Sequence, residues 1–170
     1  MPQHLSLEKL KEVTQVESLD KVTIPEIFKL FHEEKGIEKY APDSVCQIDP
    51  RDGGLIIYNS ARGRRPHDNV LAIEKVQTDE TSCPICKGKT TGVMDIAELS
   101  EGYTLINKNL YPILYPKIEL SPEFLEASDY HDPHHYGKVS FGLHFLQWTS
   151  SYHDNDWQNM PLKDLTIVID

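Results

Sequence analysis

Cysteine, basic residues and long apolar runs are all scarce in this sequence. Its three cysteines cannot all pair with one another, and the first residues lack the apolar core of a signal peptide, which argues against a disulfide-stabilised secreted domain. No apolar run approaches the roughly 18 residues of a membrane-spanning helix. Lys and Arg number 17 against 27 Asp and Glu, and this acidic balance argues against a nucleic-acid surface, which needs basic side chains to neutralise phosphates. We therefore expect a cytoplasmic protein with no membrane and no nucleic-acid partner.

What remains is the composition of an ordinary globular protein. Hydrophobic residues make up 39% of the chain and charged residues 26%, which is enough for one core. Helical patterns run over residues 5–17 and 23–35. The second pattern begins at Thr23, a good N-cap, and Glu26 follows three residues later, as in a capping box.

Beyond residue 40 the apolar pattern becomes strand-like. Strand candidates lie at residues 46–49, 54–59, 70–75, 103–107 and 139–148. The first two flank a Gly-rich turn and predict a hairpin, whereas residues 116–136 are rich in Pro, Ser, Asp and His and predict a long connection. The sequence thus predicts an α+β fold with a mostly antiparallel sheet and flanking helices. We divide it into an N-terminal helical extension, residues 1–40, and a main domain, residues 41–170.

The last ten residues begin like a helix but do not end like one. Pro161 stands at the start, and Leu162, Leu165 and Ile169 follow at helical spacing. Neither a C-cap glycine nor a basic last turn follows them. This pattern predicts a chain that stops inside an element, as a fragment of a longer protein does.

The strongest local signal is the segment Cys-Pro-Ile-Cys-Lys-Gly. Cys83 and Cys86 can both point at one metal ion, and Gly88 lets the backbone turn beneath them. Structural zinc takes four ligands, so the others must come from elsewhere; Cys46 is one candidate, although its strand position favours a buried apolar role. The alternatives are a redox pair, which would need a following helix that the pattern does not show, and two cysteines with only a structural role.

Several histidines compete for the next ligand position. His131, His134 and His135 lie in the predicted connection, where a solvated loop is the ordinary interpretation. His144 lies within the last predicted strand and is more typical of a core or cleft histidine. His153 follows that strand in a turn-forming segment, from which its ring can reach a zinc site.

Two further segments carry side chains suited to a nucleotide. Residues 58–67 contain three arginines, whose planar guanidinium groups suit phosphate, and such a local basic pocket is compatible with an acidic chain. Residues 107–116 contain Asn, Tyr and Pro in an order that could hydrogen-bond a ribose and stack a base. The ordinary alternatives are a solvated hairpin exit with surface salt bridges, and a strand that ends in a Pro-stabilised loop.

Five of these pieces, in this order, resemble the first half of the galactose-1-phosphate uridylyltransferase family, a branch of the histidine-triad superfamily. The matching segments are Asp49-Pro50, Ser60 to Pro66, Cys83 to Gly88, Asn109 to Pro112 and Ser150 to His153. The resemblance covers residues 45–170, and the earlier helices fall outside it. The Asn-Leu-Tyr-Pro form and the Phe-Gly-Leu-His strand are more similar to the sugar-phosphate adenylyltransferase branch than to the galactose enzyme.

The resemblance implies one half of a histidine-triad-like transferase, with a zinc site and a nucleotide site. The implied zinc ligands are Cys83, Cys86 and His153. The implied substrate contacts are Arg62, Arg65, Asn109 and Tyr111. The sequence departs from the family pattern at Ala61, where the family has proline, and at Ser151, which replaces the proline before the metal histidine. In addition, Arg64 competes with Arg65 for its role. The implied partners are a nucleotide sugar and a sugar 1-phosphate, with a homodimer or a missing C-terminal half completing the assembly.

The family's nucleophile has no counterpart in these residues. In the family a His-x-His segment follows the next helix and strand; its first histidine completes the zinc site, and a later one attacks the α-phosphate to form a covalent nucleotidyl-enzyme. The 170 residues contain no His-x-His, so we assign no catalytic residue and expect this chain alone to be inactive. The full-length protein would be a hexose-1-phosphate nucleotidylyltransferase. The alternative is a freestanding, non-catalytic half-domain that binds zinc and either a nucleotide or a protein.

Overall fold

The computed structural model describes residues 5–40, 45–64, 83–116, 129–132, 135–153 and 157–170. The α-helices in these ranges are α1 Leu7–Val13, α2 Ile24–Glu33 and α3 Leu162–Ile169. The strands are β1 Val45–Ile48, β2 Leu55–Tyr58, β3 Val93–Glu98, β4 Tyr103–Lys108, β5 Asp129–Asp132, β6 His135–Val139 and β7 Phe145–Trp148. Short 3₁₀ helices lie at Leu19–Lys21, Ile37–Tyr40, Ser60–Arg64 and Trp157–Asn159. Of the helices described, none is both long and apolar enough to cross a membrane.

The strands form two antiparallel sheets, with the orders β2-β1-β6-β5 and β3-β4-β7. Helices flank antiparallel strands instead of alternating with parallel ones, so the predicted α+β fold is confirmed. The chain divides into two compact units. The first unit comprises Met1–Val22, Asp68–Lys108 and Phe145–Asp170, and the second comprises Thr23–His67 and Asn109–His144. These units do not follow the division into residues 1–40 and 41–170, which stays a prediction about the chain's domains.

The first unit is built around the three-stranded sheet. Its buried apolar cluster joins α1 to β3 and β4 and comprises Leu5, Leu10, Val93, Tyr103 and Leu105. The chain leaving α1 runs beside β3, where the Gln15 amide donates to the Val93 carbonyl at 2.9 Å. Burial of the cluster holds α1 on the sheet, because each large apolar side chain that is fully buried contributes about 1.5–3 kcal/mol.

Helix α3 is tied to the same unit through its first turn. Asp164 is 2% exposed, and its carboxylate accepts hydrogen bonds from the Ser100 amide at 2.9 Å and the Ser100 hydroxyl at 2.6 Å. Near the other end of the helix, the Gln147 side chain donates to the Val168 carbonyl at 2.7 Å. The predicted helix is confirmed. Its buried positions are Asp164 and Val168, whereas Leu162 and Ile169 are exposed.

The second unit is built around the four-stranded sheet. Strands β1 and β2 form the predicted hairpin, with Val45 opposite Tyr58. The turn between them closes through the Asp49 amide, which donates to the Gly54 carbonyl at 2.7 Å. Gly53 has a φ of +76°, a conformation that glycine adopts without steric cost. The Gly-rich turn therefore sets the register of the hairpin.

Helix α2 of the second unit begins as the sequence predicts. The amide and the hydroxyl of Thr23 donate to the Glu26 carboxylate at 2.8 and 2.6 Å, and these bonds form the reciprocal part of a capping box. The hydroxyl bond and then the amide bond lower the pKa of Glu26. Ile27 and Phe31 are the buried residues of the helix.

Two of the predicted spans are corrected by the structure. The run 139–148 is not one strand: β6 ends at Val139 and pairs with β1, whereas β7 begins at Phe145 and pairs with β4 in the other sheet. The predicted connection 116–136 contains β5 and the start of β6, which pair as a hairpin. Their Asp and His residues are weak strand signals, and cross-strand pairing overrides that local preference.

Strand β3 has no counterpart among the predicted strands. Its pairing with β4 shifts register between Val93 and Asp95, as at a β-bulge, and this shift disturbs the alternation by which a half-buried strand is recognised. The predicted strand at residues 70–75 lies outside the described residues.

Candidate functional site

The segment from Cys83 to Gly88 folds into a tight turn shortly before β3. The Gly88 amide donates to the Ile85 carbonyl at 2.8 Å, and the Lys87 amide lies 3.1 Å from the Pro84 carbonyl. Gly88 has a φ of +69°, which a residue with a side chain adopts only under strain. This turn brings the sulfur atoms of the two cysteines together.

The chain that follows β7 carries the third donor. Ser151 is buried; its hydroxyl accepts a hydrogen bond from the Tyr103 amide at 3.1 Å, and its carbonyl accepts one from the Leu5 amide at 3.3 Å. Gly102 makes this close approach feasible, because a Cβ atom there would collide with the Ser151 hydroxyl. These contacts fix the backbone two residues before His153.

Cys83, Cys86 and His153 form a group that could hold a metal ion, and we call these three residues the metal-binding group. Their ligand atoms all lie within 4.8 Å of one another, and the Cys86 Sγ atom is 3.3 Å from Nδ1 of His153. Sulfur and nitrogen ligands bound to one tetrahedral zinc ion at about 2.3 and 2.05 Å would be about 3.6 Å apart. Cys86 and His153 therefore stand close to the separation that a shared metal ion requires, and the three predicted ligands come together in a group that could hold a metal ion.

The surroundings of the group favour the form of cysteine that binds metals. Burial raises the pKa of the Cys83 thiol, but hydrogen bonds from Cys86, the Ile85 backbone and the His153 side chain outweigh burial and leave that pKa below its ordinary value. Burial and the negative charge of Cys86 raise the pKa of Tyr103 to about 12. The lowered pKa shifts Cys83 toward the thiolate, which is the ligand form, whereas the phenol of Tyr103 stays protonated at neutral pH.

Helix α1 packs against this turn. The Lys9 ammonium group donates to the Cys86 carbonyl at 3.5 Å, and a Cβ atom at Gly88 would lie 3.2 Å from the Lys9 Cβ. Sequence reasoning gave Lys9 no role, because the contact joins residues 77 apart in the chain and no local pattern signals it. Lys9 places a positive charge beside two cysteines that become negative when they bind a metal.

A cavity of about 390 Å³ adjoins the metal-binding group. All three candidate ligands line it, together with apolar side chains that include Leu105, Trp148 and Trp157. A fourth donor from outside the group therefore has room to approach, as tetrahedral coordination requires.

Cys46, another candidate ligand, is not part of this group. Cys46 is 3% exposed in β1 of the second unit, which confirms its interpretation as a buried apolar residue. His131 and His135 lie in β5 and β6 rather than in a loop, and His134 lies outside the described residues. Within the described ranges, the group contains only the two cysteines and His153.

Three of the four predicted substrate contacts lie together in the second unit. The Arg62 guanidinium donates to the Tyr111 carbonyl at 3.0 Å, and the Tyr111 amide donates to Oδ1 of Asn109 at 2.8 Å. Asn59 supports this arrangement, since its side chain accepts from the Arg62 amide at 3.1 Å and donates to the Pro112 carbonyl at 2.6 Å. Arg65 lies outside the described residues. We call Asn59, Arg62, Asn109 and Tyr111 the arginine–asparagine cluster.

Aromatic and imidazole rings border the arginine–asparagine cluster. The Tyr111 ring meets the Tyr40 ring edge-on, with centroids 4.5 Å apart. Burial, and then the neighbouring Tyr40, raise the pKa of Tyr111. His144 lies just before β7, where its Nδ1 accepts a hydrogen bond from the Ile113 amide at 2.9 Å. Sequence reasoning treated His144 as a core or cleft residue and did not connect it to this cluster.

Comparison of the chain with protein-family models, with curated proteins and with solved structures yields no match. Any function assigned to it therefore depends on its residues and their geometry.

Proposed function

We propose that Cys83, Cys86 and His153 bind zinc, and that the chain is the zinc-stabilised, nucleotide-binding part of a nucleotidylyltransferase acting on sugar 1-phosphates. The observation that carries the proposal is that the three ligand atoms lie within 4.8 Å of one another. The two cysteines precede β3 in the sequence, whereas His153 follows β7. Two thiolates and an imidazole suit zinc, a borderline-soft ion without redox chemistry, better than they suit magnesium or calcium, which prefer oxygen ligands.

Bound zinc would act here as a structural cross-link. It would join the turn before β3 to the chain after β7, so that the two outer strands of the three-stranded sheet share one anchor. Zinc binding of this kind contributes directly to folding, because the unfolded chain does not hold the ligands together. A fourth ligand from outside the group would close the site.

The nucleotide-binding part of the proposal is supported by the arginine–asparagine cluster. Arg62 lies 49 residues before Tyr111 in the sequence, and Asn109 lies two residues before it; two hydrogen bonds link the three residues in the second unit. A guanidinium group suits a phosphate, an amide suits a ribose hydroxyl, and an aromatic ring suits a base. These are three of the four substrate contacts implied by the family resemblance, and their association supports the nucleotide-binding part of the proposal.

The proposed transfer has two steps. A histidine nitrogen attacks the α-phosphorus of the nucleotide sugar, the bond to the bridging oxygen breaks, and sugar 1-phosphate leaves with the electron pair of that bond. A phosphate oxygen of the second sugar 1-phosphate then attacks the same phosphorus and releases the histidine. No His-x-His occurs in the 170 residues, so the attacking histidine would come from outside them.

Metal analysis of purified protein tests the zinc claim. We expect about one zinc ion per chain in the wild type, and much less in Cys83→Ser and in His153→Ala, because each loses a donor. Cys46→Ala is the matched control, since Cys46 is a buried cysteine outside the metal-binding group. Unchanged zinc content in both ligand variants would refute the metal assignment.

Nucleotide exchange separates the enzyme from the alternative, a non-catalytic half-domain that binds zinc and a nucleotide or a protein. The absence of a His-x-His in the sequence favours that alternative for this chain alone. Calorimetry with nucleoside monophosphates measures binding, and exchange of labelled sugar 1-phosphate measures transfer. Exchange that begins only when a His-x-His-containing segment is supplied supports the enzyme. Binding that never leads to exchange supports the half-domain.

A further inference from the structure

His144 is held by the same loop that carries Asn109 and Tyr111. Its half-buried ring accepts a hydrogen bond at Nδ1 from the Ile113 amide at 2.9 Å, and its carbonyl accepts one from the Asn109 amide at 2.9 Å. Both ring and backbone of His144 are therefore fixed beside the arginine–asparagine cluster.

The hydrogen bond from Ile113 decides which ring nitrogen of His144 carries the proton. A backbone N–H can only donate, so Nδ1 is the acceptor, and in a neutral imidazole the proton then lies on Nε2. Burial lowers the pKa of His144, and the positive charge of Arg62 lowers it further, which favours the neutral ring. Nε2 of His144 is therefore an N–H donor.

The polar group that approaches Nε2 cannot accept this proton. The side-chain nitrogen of Asn109 lies 3.3 Å from Nε2 and 3.4 Å from Nδ1. The Asn109 amide cannot be turned around, because its Oδ1 already accepts from the Tyr111 amide at 2.8 Å. An atom equally distant from both ring nitrogens also lies over the face of the ring, away from the direction of the Nε2–H bond. In the part of the chain that the structure describes, Nε2–H therefore has no acceptor.

We propose that His144 is a further ligand-binding residue, whose Nε2–H donates to a phosphate oxygen of the nucleotide; this inference rests on the proposed function. Arg62 belongs to the same hydrogen-bonded network through the Tyr111 carbonyl, at 3.0 Å. A phosphate oxygen satisfies a directed neutral donor and a permanent positive charge together, which a base or a sugar hydroxyl does not. Arg62 thus supplies a positive charge, and His144 supplies a hydrogen-bond donor that orients the phosphate oxygen.

Two substitutions separate this role from a purely structural one. In His144→Asn, the side-chain oxygen can take the place of Nδ1 and accept from Ile113, but the donor at Nε2 is lost. In His144→Gln, the amide reaches the position of Nε2 and keeps a donor there, while the acceptor at Nδ1 is lost. The two variants therefore remove opposite ends of the same ring, and thermal melting checks that both remain folded.

Calorimetric titration with uridine 5′-monophosphate and adenosine 5′-monophosphate gives the readout. We expect His144→Asn to bind the preferred nucleotide about tenfold more weakly than wild type, because a hydrogen bond to a charged acceptor is lost. His144→Gln should stay within about threefold of wild type, since the donor remains. The reverse order, with Asn like wild type and Gln weak, would show a structural role only and would overturn the inference while leaving the proposed function intact.

If neither nucleotide binds, the role of His144 is tested by ¹⁵N NMR of its ring nitrogens during titration with inorganic phosphate. The absence of nucleotide binding would itself refute the proposed function. The His144 resonances, assigned by their loss in His144→Asn, then report on the inference separately. We expect a protonated Nε2, an unprotonated Nδ1, and a shift of the Nε2–H signal when phosphate is added. A proton on Nδ1, or no shift with phosphate, would overturn the inference.

Discussion

The metal-binding group of the first unit and the arginine–asparagine cluster of the second are held together in different ways. Cys86 and His153 are 67 residues apart, and their side chains meet each other directly, at 3.3 Å. In the cluster, side chains meet main-chain groups: Arg62 donates to the Tyr111 carbonyl, and Asn109 accepts from the Tyr111 amide. A bound ion would hold the side chains of the metal-binding group together, whereas hydrogen bonds to the main chain already hold the side chains of the arginine–asparagine cluster. Removal of a metal should therefore affect the two regions unequally.

Chelation provides the largest expected contrast between the two regions. Because zinc would join the turn before β3 to the chain after β7, its removal should loosen the first unit and lower its stability by several kcal/mol. Hydrogen exchange after treatment with a chelator should rise at residues 83–98 and 149–153, but not in the hairpin at residues 45–58. Equal increases in both regions would show that the metal does not act as a local anchor.

Replacement of the histidine ligand tests whether donor chemistry or the ring itself matters. His153→Cys keeps a soft donor at the third position, whereas His153→Ala leaves two ligands. We expect the alanine variant to lose more than about 100-fold in zinc affinity. Replacing a residue that only hydrogen-bonds to a metal ligand typically costs about 10–100-fold, so a larger loss indicates a direct ligand. The cysteine variant should retain most of the metal. Competition with a chromophoric chelator measures both, and nucleotide binding in the second unit should be unchanged in either variant.

The same contrast explains what could be predicted from sequence. Cys83 and Cys86 are recognisable because two soft donors at a fixed short spacing form a local pattern, and the family resemblance added His153. Arg62, Asn109 and Tyr111 were named from the same resemblance, and the structure brings them together. Lys9 and His144 were not predicted as parts of these regions, because each acts through a contact with residues distant in the chain. Strand β3 was missed because its register shift breaks the alternation that would have marked it.

Replacing Gly88 by alanine should have a smaller effect on stability, and Gly63→Ala is its matched control. Gly88→Ala places a side chain at a φ of +69° and 3.2 Å from the Lys9 Cβ. We expect a loss of about 1–2 kcal/mol in the free energy of unfolding, from backbone strain, and weaker zinc binding. Gly63, in the second unit, has nothing within 4 Å of an added Cβ, so Gly63→Ala should be nearly neutral. Urea denaturation of both variants makes the comparison, and an equal loss in both would contradict the assigned role of Gly88.

The smallest expected effect concerns an ion pair in the second unit, between Asp49 and Arg51. In the β1–β2 turn of the second unit, Asp49 accepts from the Arg51 guanidinium at 2.6 Å, and this bond, with one from the Arg51 amide, lowers the pKa of Asp49 below 3.8. A lowered folded-state pKa stabilises the fold above the ordinary value of the carboxyl, and that contribution disappears as the pH falls through the lowered value. Arg51→Gln should therefore melt slightly below wild type at pH 7, and the difference should shrink as the pH falls through the lowered pKa of Asp49 and the carboxyl becomes protonated. High salt should also reduce it, because the Arg51 side chain is 85% exposed. A difference that persists unchanged in acid would mean that Arg51 acts through packing and not through the charge of Asp49.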